Sequence, residues 1–100
     1  MPHEKISIEK AKELIDQGGA TVIDIRDQQS YTAGHIEGAQ LIDSENVESF
    51  IASTNQQRPL IVCCYHGNMS QSAAAFFSEQ GFTEAYSLDG GYVAWASQYG

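Results

Sequence analysis

Basic residues are scarce in this chain. Lys5, Lys10, Lys12, Arg26 and Arg58 stand against 13 acidic residues, for a formal net charge of −8 over 100 residues. Three of these five cations fall within the first 12 positions, so the remainder offers no basic face. Nucleic-acid binders need such a face to neutralise phosphates, and that class is excluded. Long apolar runs are lacking too. Nothing approaches the roughly 20 apolar residues that span a bilayer. The opening MPHEKISIEK is too charged for a secretory signal. The expectation is a cytoplasmic protein with no membrane contact, and the acidic balance favours a monomer.

Cysteine is rarer still. There are 2, and they are neighbours at 63 and 64. Adjacent cysteines cannot staple distant segments, so a disulfide framework is excluded and reduced thiols are expected. They also lack the spacing of a zinc knuckle, and His3 and His35 lie far off in sequence. No metal is expected. Repeats, low-complexity tracts and linkers are absent as well. With 42% hydrophobic and 18% charged residues, the composition is that of an ordinary globular chain, one domain over 1–100.

What is present is an alternation of helical and strand-like segments. Ser7 is placed to cap a helix over 8–17, with Ile8, Ala11, Leu14 and Ile15 on one face and the glycines at 18–19 as its stop. ATVIDI (20–25) reads as a buried strand with no solvent face. RDQQSYTAGHI (26–36) reads mostly as loop, with a helical turn around 28–32. A short strand at 39–42 and a helix over 44–52 capped by Ser44 follow. PLIVC (59–63) is a second fully apolar strand, with Pro59 at its start where a missing donor matters least. The pattern then predicts a helix over 71–81, a strand at 84–88, a DGG turn and a last short helix over 91–100. Strands separated by helices imply an α/β fold with a mainly parallel sheet, whose ligand site lies beyond the carboxyl ends of the strands. Cys64 falls there.

The stretch CCYHGNMSQS therefore joins an apolar strand to a helix. Gly67 and Asn68 are the loop residues that most readily take unusual backbone angles. A loop winding into a helix N-terminus turns backbone N–H groups inward, and the helix dipole adds partial positive charge. A thiolate is favoured in such a cradle without any lysine or arginine. The alternative is that Cys64 is one more buried, inert thiol. Cys63 continues the apolar strand and reads as core. His66 either tunes the thiol or only lines the loop.

Two other thiol chemistries are tested by what the loop omits, and a phosphatase or arsenate reductase is left as a distant third reading. Cysteine phosphatases use Cys-x5-Arg, whose arginine grips phosphate bidentately. The corresponding residue here is Ser70. Thioredoxin-type exchange uses Cys-x-x-Cys, and the second position here is Gly67. A single-cysteine nucleophile without a phosphate clamp suits transfer of a sulfane sulfur, carried as a persulfide.

Three stretches resemble the signatures of the rhodanese family, in the family's order. VIDIRDQQSYTAGHIEGAQLI has the strand-ending Asp-x-Arg and the Gly-His-Ile-x-Gly-Ala turn. LIVCCYHGNMSQSAAAFF is similar to the active-site strand, loop and helix, and GFTEAYSLDGGYVAW to the closing Leu-x-Gly-Gly-aromatic-x-x-Trp. The match is nearest to the family's small single-domain thiosulfate sulfurtransferases. The resemblance implies a mainly parallel five-stranded sheet flanked by helices on both faces. It makes Cys64 the sulfur acceptor, surrounded by the amides of Tyr65, His66, Gly67, Asn68, Met69 and Ser70. Thiosulfate is then the donor, cyanide or a thiol such as reduced thioredoxin the acceptor, and no cofactor is needed. Asp24 and Arg26 would form a charged pair beside the loop, with Arg26 either attracting thiosulfate or bracing the loop. His35 would make a structural hydrogen bond, Tyr31 would pack against the loop, and Asp89, Gly90, Gly91 and Trp95 would serve as turn and core. The same cysteine also serves two rival readings, a carrier fed by a protein partner and a regulatory module of this fold.

Overall fold

Apolar runs too short for helices alternate with amphipathic ones, and the backbone follows that alternation. In the computed structural model, which describes residues 4–100, the elements run β1 (Glu4–Ile6), α1 (Ile8–Asp16), β2 (Thr21–Asp24), α2 (Gln28–Ala33), β3 (Gln40–Leu41), α3 (Val47–Ser53), β4 (Leu60–Cys63), α4 (Met69–Glu79), β5 (Ala85–Leu88) and α5 (Gly91–Tyr99). His3 lies outside the described residues. The five strands form one sheet in the order β1-β5-β4-β2-β3, and every pairing is parallel. This is the expected five-stranded α/β sheet. Its fifth member, β1, is a strand that the residue pattern did not reveal, because only Ile6 of its three residues is buried.

The period-2 alternation of a strand divides the core in two. From the central β4, Leu60 and Val62 pack with Phe50 of α3 and Ala74 and Phe77 of α4. Ile61 and Cys63 point to the other face, among Ala11 of α1 and Trp95 of α5. Helices therefore cover both faces. Because the sheet is parallel, the carboxyl ends of β2, β4 and β5 share one edge, with Asp24 paired in register to Cys63.

Helix ends depart from the sequence reading in specific ways. Ser7 does cap α1, its Oγ accepting from Lys10 N at 3.1 Å. Ser44 does not cap α3. The Asp43 carboxylate accepts from the amides of Glu45 and Asn46 at 2.9 and 3.2 Å, forming a turn that delays the helix to Val47. The turn foreseen at 28–32 is a full helix, capped by Asp27. Helix α4 begins at Met69 rather than at 71, which brings Ser70 into its first turn. Among the described residues, no helix is long and apolar enough to cross a membrane.

Candidate active site

Strand β4 ends at Cys63 and α4 begins at Met69, so the chain must reverse its course within 64–68. Gly67 makes this possible at φ +91. A Cβ there would lie 2.8 Å from Gly90 N and 3.0 Å from Leu88 O, so the position excludes a side chain on two grounds. Asn68, expected to share the unusual geometry, does not. It sits at φ −94, ψ −51 in the ordinary right-handed region.

The turn aims donors at the thiol. The amides of Gly67 and Ser70 each lie 3.2 Å from Cys64 Sγ, and Ser70 Oγ is also at 3.2 Å. The carbonyls of the same segment face away. Cys64 O accepts from Tyr92 N at 2.8 Å and Tyr65 O from Val93 N at 3.2 Å. The orphan N–H groups of α5's first turn thus take up the carbonyls of Cys64 and Tyr65, while the Gly67 and Ser70 amides turn to the sulfur. This docking needs Gly91, at φ +62, because a Cβ there would lie 2.6 Å from the carbonyl carbon and oxygen of Tyr65.

The two cysteines have opposite electrostatics. Cys64 is 1% exposed, and burial by itself pushes its thiol up. The Ser70 hydroxyl and the amides of Ser70, Gly67 and His66 outweigh burial, and the net displacement is downward. Cys63 has no such donors. Burial first, and the neighbouring Asp24 second, push it up to about 12. Its side chain stays in the core, as the strand pattern indicated.

Asp24 and Arg26 are brought together, but beside the loop rather than onto the sulfur. The buried Asp24 carboxylate accepts from Arg26 Nη2 at 2.7 Å and from Nε at 3.0 and 3.1 Å. Arg26 Nη2 also donates to Gly34 O at 2.7 Å, and the guanidinium lies 4.3 Å from the centre of the Tyr92 ring. The hydrogen bonds to Asp24 outweigh burial and raise the Arg26 pKa. The pair thereby ties the end of α2 and the start of α5 to β2.

Tyr65, His66, Asn68 and Met69 do not present side chains to the sulfur. His66, Asn68 and Met69 are exposed at the rim. Tyr65 reaches sideways, its hydroxyl donating to the Asp27 carboxylate. Asp27, which the sequence reading passed over as loop, also accepts from Ser30 N at 3.0 Å and Ser30 Oγ at 2.7 Å. The Tyr65 hydrogen bond, followed by those from Ser30, holds its carboxyl well below the usual carboxylate range. Tyr31 stacks on His35 with ring centres 3.9 Å apart and donates to Ala39 O at 2.5 Å. His35 Nδ1 is 2.8 Å from Tyr31 O, so these two side chains brace the GHIEGA turn. Ser87 was also missed. Its Oγ lies 2.6 Å from Ser70 Oγ, and the only sign in the sequence is a polar residue within an apolar strand. No group of three or more His, Cys, Asp or Glu among the described residues is placed to hold a metal ion.

The family model described as Rhodanese-like domain matches residues 7–98. The thiosulfate sulfurtransferase GlpE of Pseudomonas paraeruginosa is 53% identical over 96 residues, spanning 96% of this chain and 86% of the relative. Among solved structures, a rhodanese-like domain from Anabaena superposes with a TM-score of 0.84 at 26% identity, over 98% of this chain and 76% of that one. A human single-domain sulfurtransferase shares the fold with a TM-score of 0.81 at 20% identity, over 96% of this chain and 97% of that one.

Proposed function

The chain belongs to the rhodanese-like family, and on that footing we propose that it is a thiosulfate sulfurtransferase working through a persulfide on Cys64. One observation carries the reading. Cys64 Sγ sits in a ring of neutral groups: it accepts from the Gly67 and Ser70 amides and donates as a thiol to the Ser70 hydroxyl, which can turn to donate to a thiolate, in a loop free of lysine and arginine. That ring stabilises a sulfur anion while offering no clamp for phosphate.

The Cys64 thiolate attacks the outer sulfur of thiosulfate. The new S–S bond forms as the sulfur–sulfur bond of thiosulfate breaks, and sulfite leaves with the electron pair. The negative charge passes to the outer persulfide sulfur, within reach of the loop amides of 65–70. A nucleophilic acceptor then takes that sulfur, and Cys64 departs as the thiolate it was at the start. Cyanide serves in an assay and yields thiocyanate. A cellular thiol such as reduced thioredoxin serves in the same role. No cofactor enters, and ping-pong kinetics follow from the two half-reactions. Both cysteines are free thiols, which suits the reducing cytoplasm. The unit is a single domain acting as a monomer, with Asp24 and Arg26 as braces of the loop.

The test is the intact mass of the reduced protein after thiosulfate treatment. The wild type gains one sulfur atom, Cys64→Ser gains none, and Cys63→Ser retains most of the uptake. No gain at any thiosulfate concentration overturns the thiosulfate reading. Sulfur gained only from a persulfidated protein donor would then identify a protein-fed carrier.

A further inference from the structure

Ser87 of β5 and Ser70 of α4 are both fully buried, and their Oγ atoms lie 2.6 Å apart. Ser70 Oγ is in turn 3.2 Å from Cys64 Sγ. Two hydroxyls from different elements thus stand in file behind the sulfur. Among the described residues, Ser87 Oγ has no hydrogen-bond partner besides Ser70.

The direction of the hydrogens follows from that dead end. A serine hydroxyl carries one hydrogen, and a buried O–H without an acceptor is costly. The Ser87 hydrogen therefore goes to Ser70 Oγ, its one available acceptor. Ser70 then accepts from Ser87 and turns its own hydrogen onto Cys64 Sγ. A thiolate receives that hydrogen together with those of the two amides, and every hydroxyl is paired. A thiol upsets the count. If its S–H is given to Ser70, the Ser70 hydrogen must turn to Ser87, and the Ser87 O–H is orphaned. If the S–H is held back, the Ser70 hydrogen meets a weakly accepting sulfur.

We propose that Ser87 is a positioning residue for the sulfur chemistry, the closed end of a hydroxyl file that is fully hydrogen-bonded only when Cys64 is a thiolate. The thiolate is the nucleophile of the first half-reaction and the leaving group of the second, so one device serves both. By donating to Ser70, Ser87 also polarises it into a stronger donor and stops its hydroxyl from turning toward β5.

Other ionisable groups lie at the sulfur's end of the elements packed around it: Cys63 ending β4, Tyr65 and His66 in the loop, Asp24 and Arg26 at the end of β2, Asp89 after β5 and Tyr92 in α5, while Glu79 of α4, Tyr86 of β5 and Tyr99 of α5 lie elsewhere on those elements. Asp24 and Arg26 are engaged with each other. None of these groups hydrogen-bonds Cys64 Sγ with its side chain among the described residues.

The inference rests on Cys64 as the reacting sulfur, yet its test needs no thiosulfate. The rate of Cys64 alkylation by iodoacetamide is followed against pH, with fragment sequencing to assign the label. Ser70→Ala should raise the titration midpoint by about one pH unit, tenfold less thiolate on the acid side, in line with loss of one hydrogen bond to a charged acceptor. Ser87→Ala should shift it the same way by a smaller amount, about two- to fivefold in rate. The double variant should match Ser70→Ala alone, because Ser87 has only Ser70 to act through. Ser87→Thr, which keeps the hydroxyl, should restore the wild-type midpoint. Near-UV circular dichroism checks folding. If the alanine variant does not fold, Ser87→Cys, a weaker donor of similar size, should give a shift of the same sign. An unmoved midpoint in the folded Ser87 variant overturns the proposal. So does a Ser87 shift that is equal with and without Ser70.

Discussion

Replacing Gly91 by alanine should damage this protein far more than a one-carbon change suggests. The backbone term is general: an L-residue in the left-handed region costs about 1–2 kcal/mol. The contact term is particular to this site, since the new Cβ would lie 2.6 Å from the Tyr65 carbonyl and 2.7 Å from Cys64 O. Both neighbours are backbone and cannot rotate aside, so α5 must lift off the loop. Lifting breaks the hydrogen bonds from Tyr92 N and Val93 N, at about 1 kcal/mol each. The sum is roughly 3–4 kcal/mol, or roughly 12–30 °C in Tm for a domain of this size. Gly38 supplies an internal control, because it also has positive φ, +85, but nothing lies within 4 Å of its Cβ position. Gly38→Ala should therefore show the backbone term alone, about 1–2 kcal/mol. Urea unfolding of the two variants measures the difference, and sulfur uptake by the folded fraction should fall only for Gly91→Ala. Equal destabilisation by the two substitutions would refute the argument that α5 is seated on the loop carbonyls.

Three other outcomes follow from the site. Asp27 has a depressed carboxyl, so its contribution to stability is present above the unfolded value of about 3.9 and is lost as pH falls below it. Tm against pH should accordingly lose part of its acid limb in Asp27→Asn and less of it in Tyr65→Phe; curves parallel to wild type would contradict this. Arg26→Ala leaves the buried Asp24 carboxylate unpaired and should cost about 3–5 kcal/mol in urea unfolding. Arg26→Lys should recover only part of that loss, since an ammonium cannot match the two-oxygen fork. The thiosulfate KM of the folded Arg26 variants should stay near wild type, and a raised KM at full stability would instead make Arg26 a substrate contact. With no cation in the loop, the wild-type KM for thiosulfate should lie near or above the upper end of the usual ~1 μM–1 mM range. A submicromolar value would overturn that expectation.

Strands and helices were legible wherever burial writes itself into local pattern. LIVC and TVID carry no solvent face, and the structure buries almost all of both. The edge strand β1 was not legible, because a strand with one buried residue is defined by its partner β5 rather than by its own composition. The expected cap at Ser44 failed because the Asp43 carboxylate holds 43–46 in a turn, a contact set by backbone direction that residue type alone does not reveal. At the site, Cys64 and Gly67 could be placed from the strand–loop–helix order alone. The Tyr65–Asp27 and Ser70–Ser87 hydrogen bonds could not, for they join residues 38 and 17 positions apart on different elements. Gly91 falls between these cases. The sequence marks it as a turn, whereas its main role is to let one backbone lie against another.

The outermost strands of the sheet are also its shortest, three residues in β1 and two in β3. A free strand edge is a template on which a second chain can lay down its own backbone, and the risk grows with the length of the exposed row. Among the described residues each rim offers only a brief row of unpaired groups, with Glu4 and Lys5 exposed along β1. Two copies approaching edge to edge also bring together molecules of formal charge −8. The scaffold that holds Cys64 is therefore poor at templating its own aggregation, a useful property for a domain whose central strand β4 is wholly apolar.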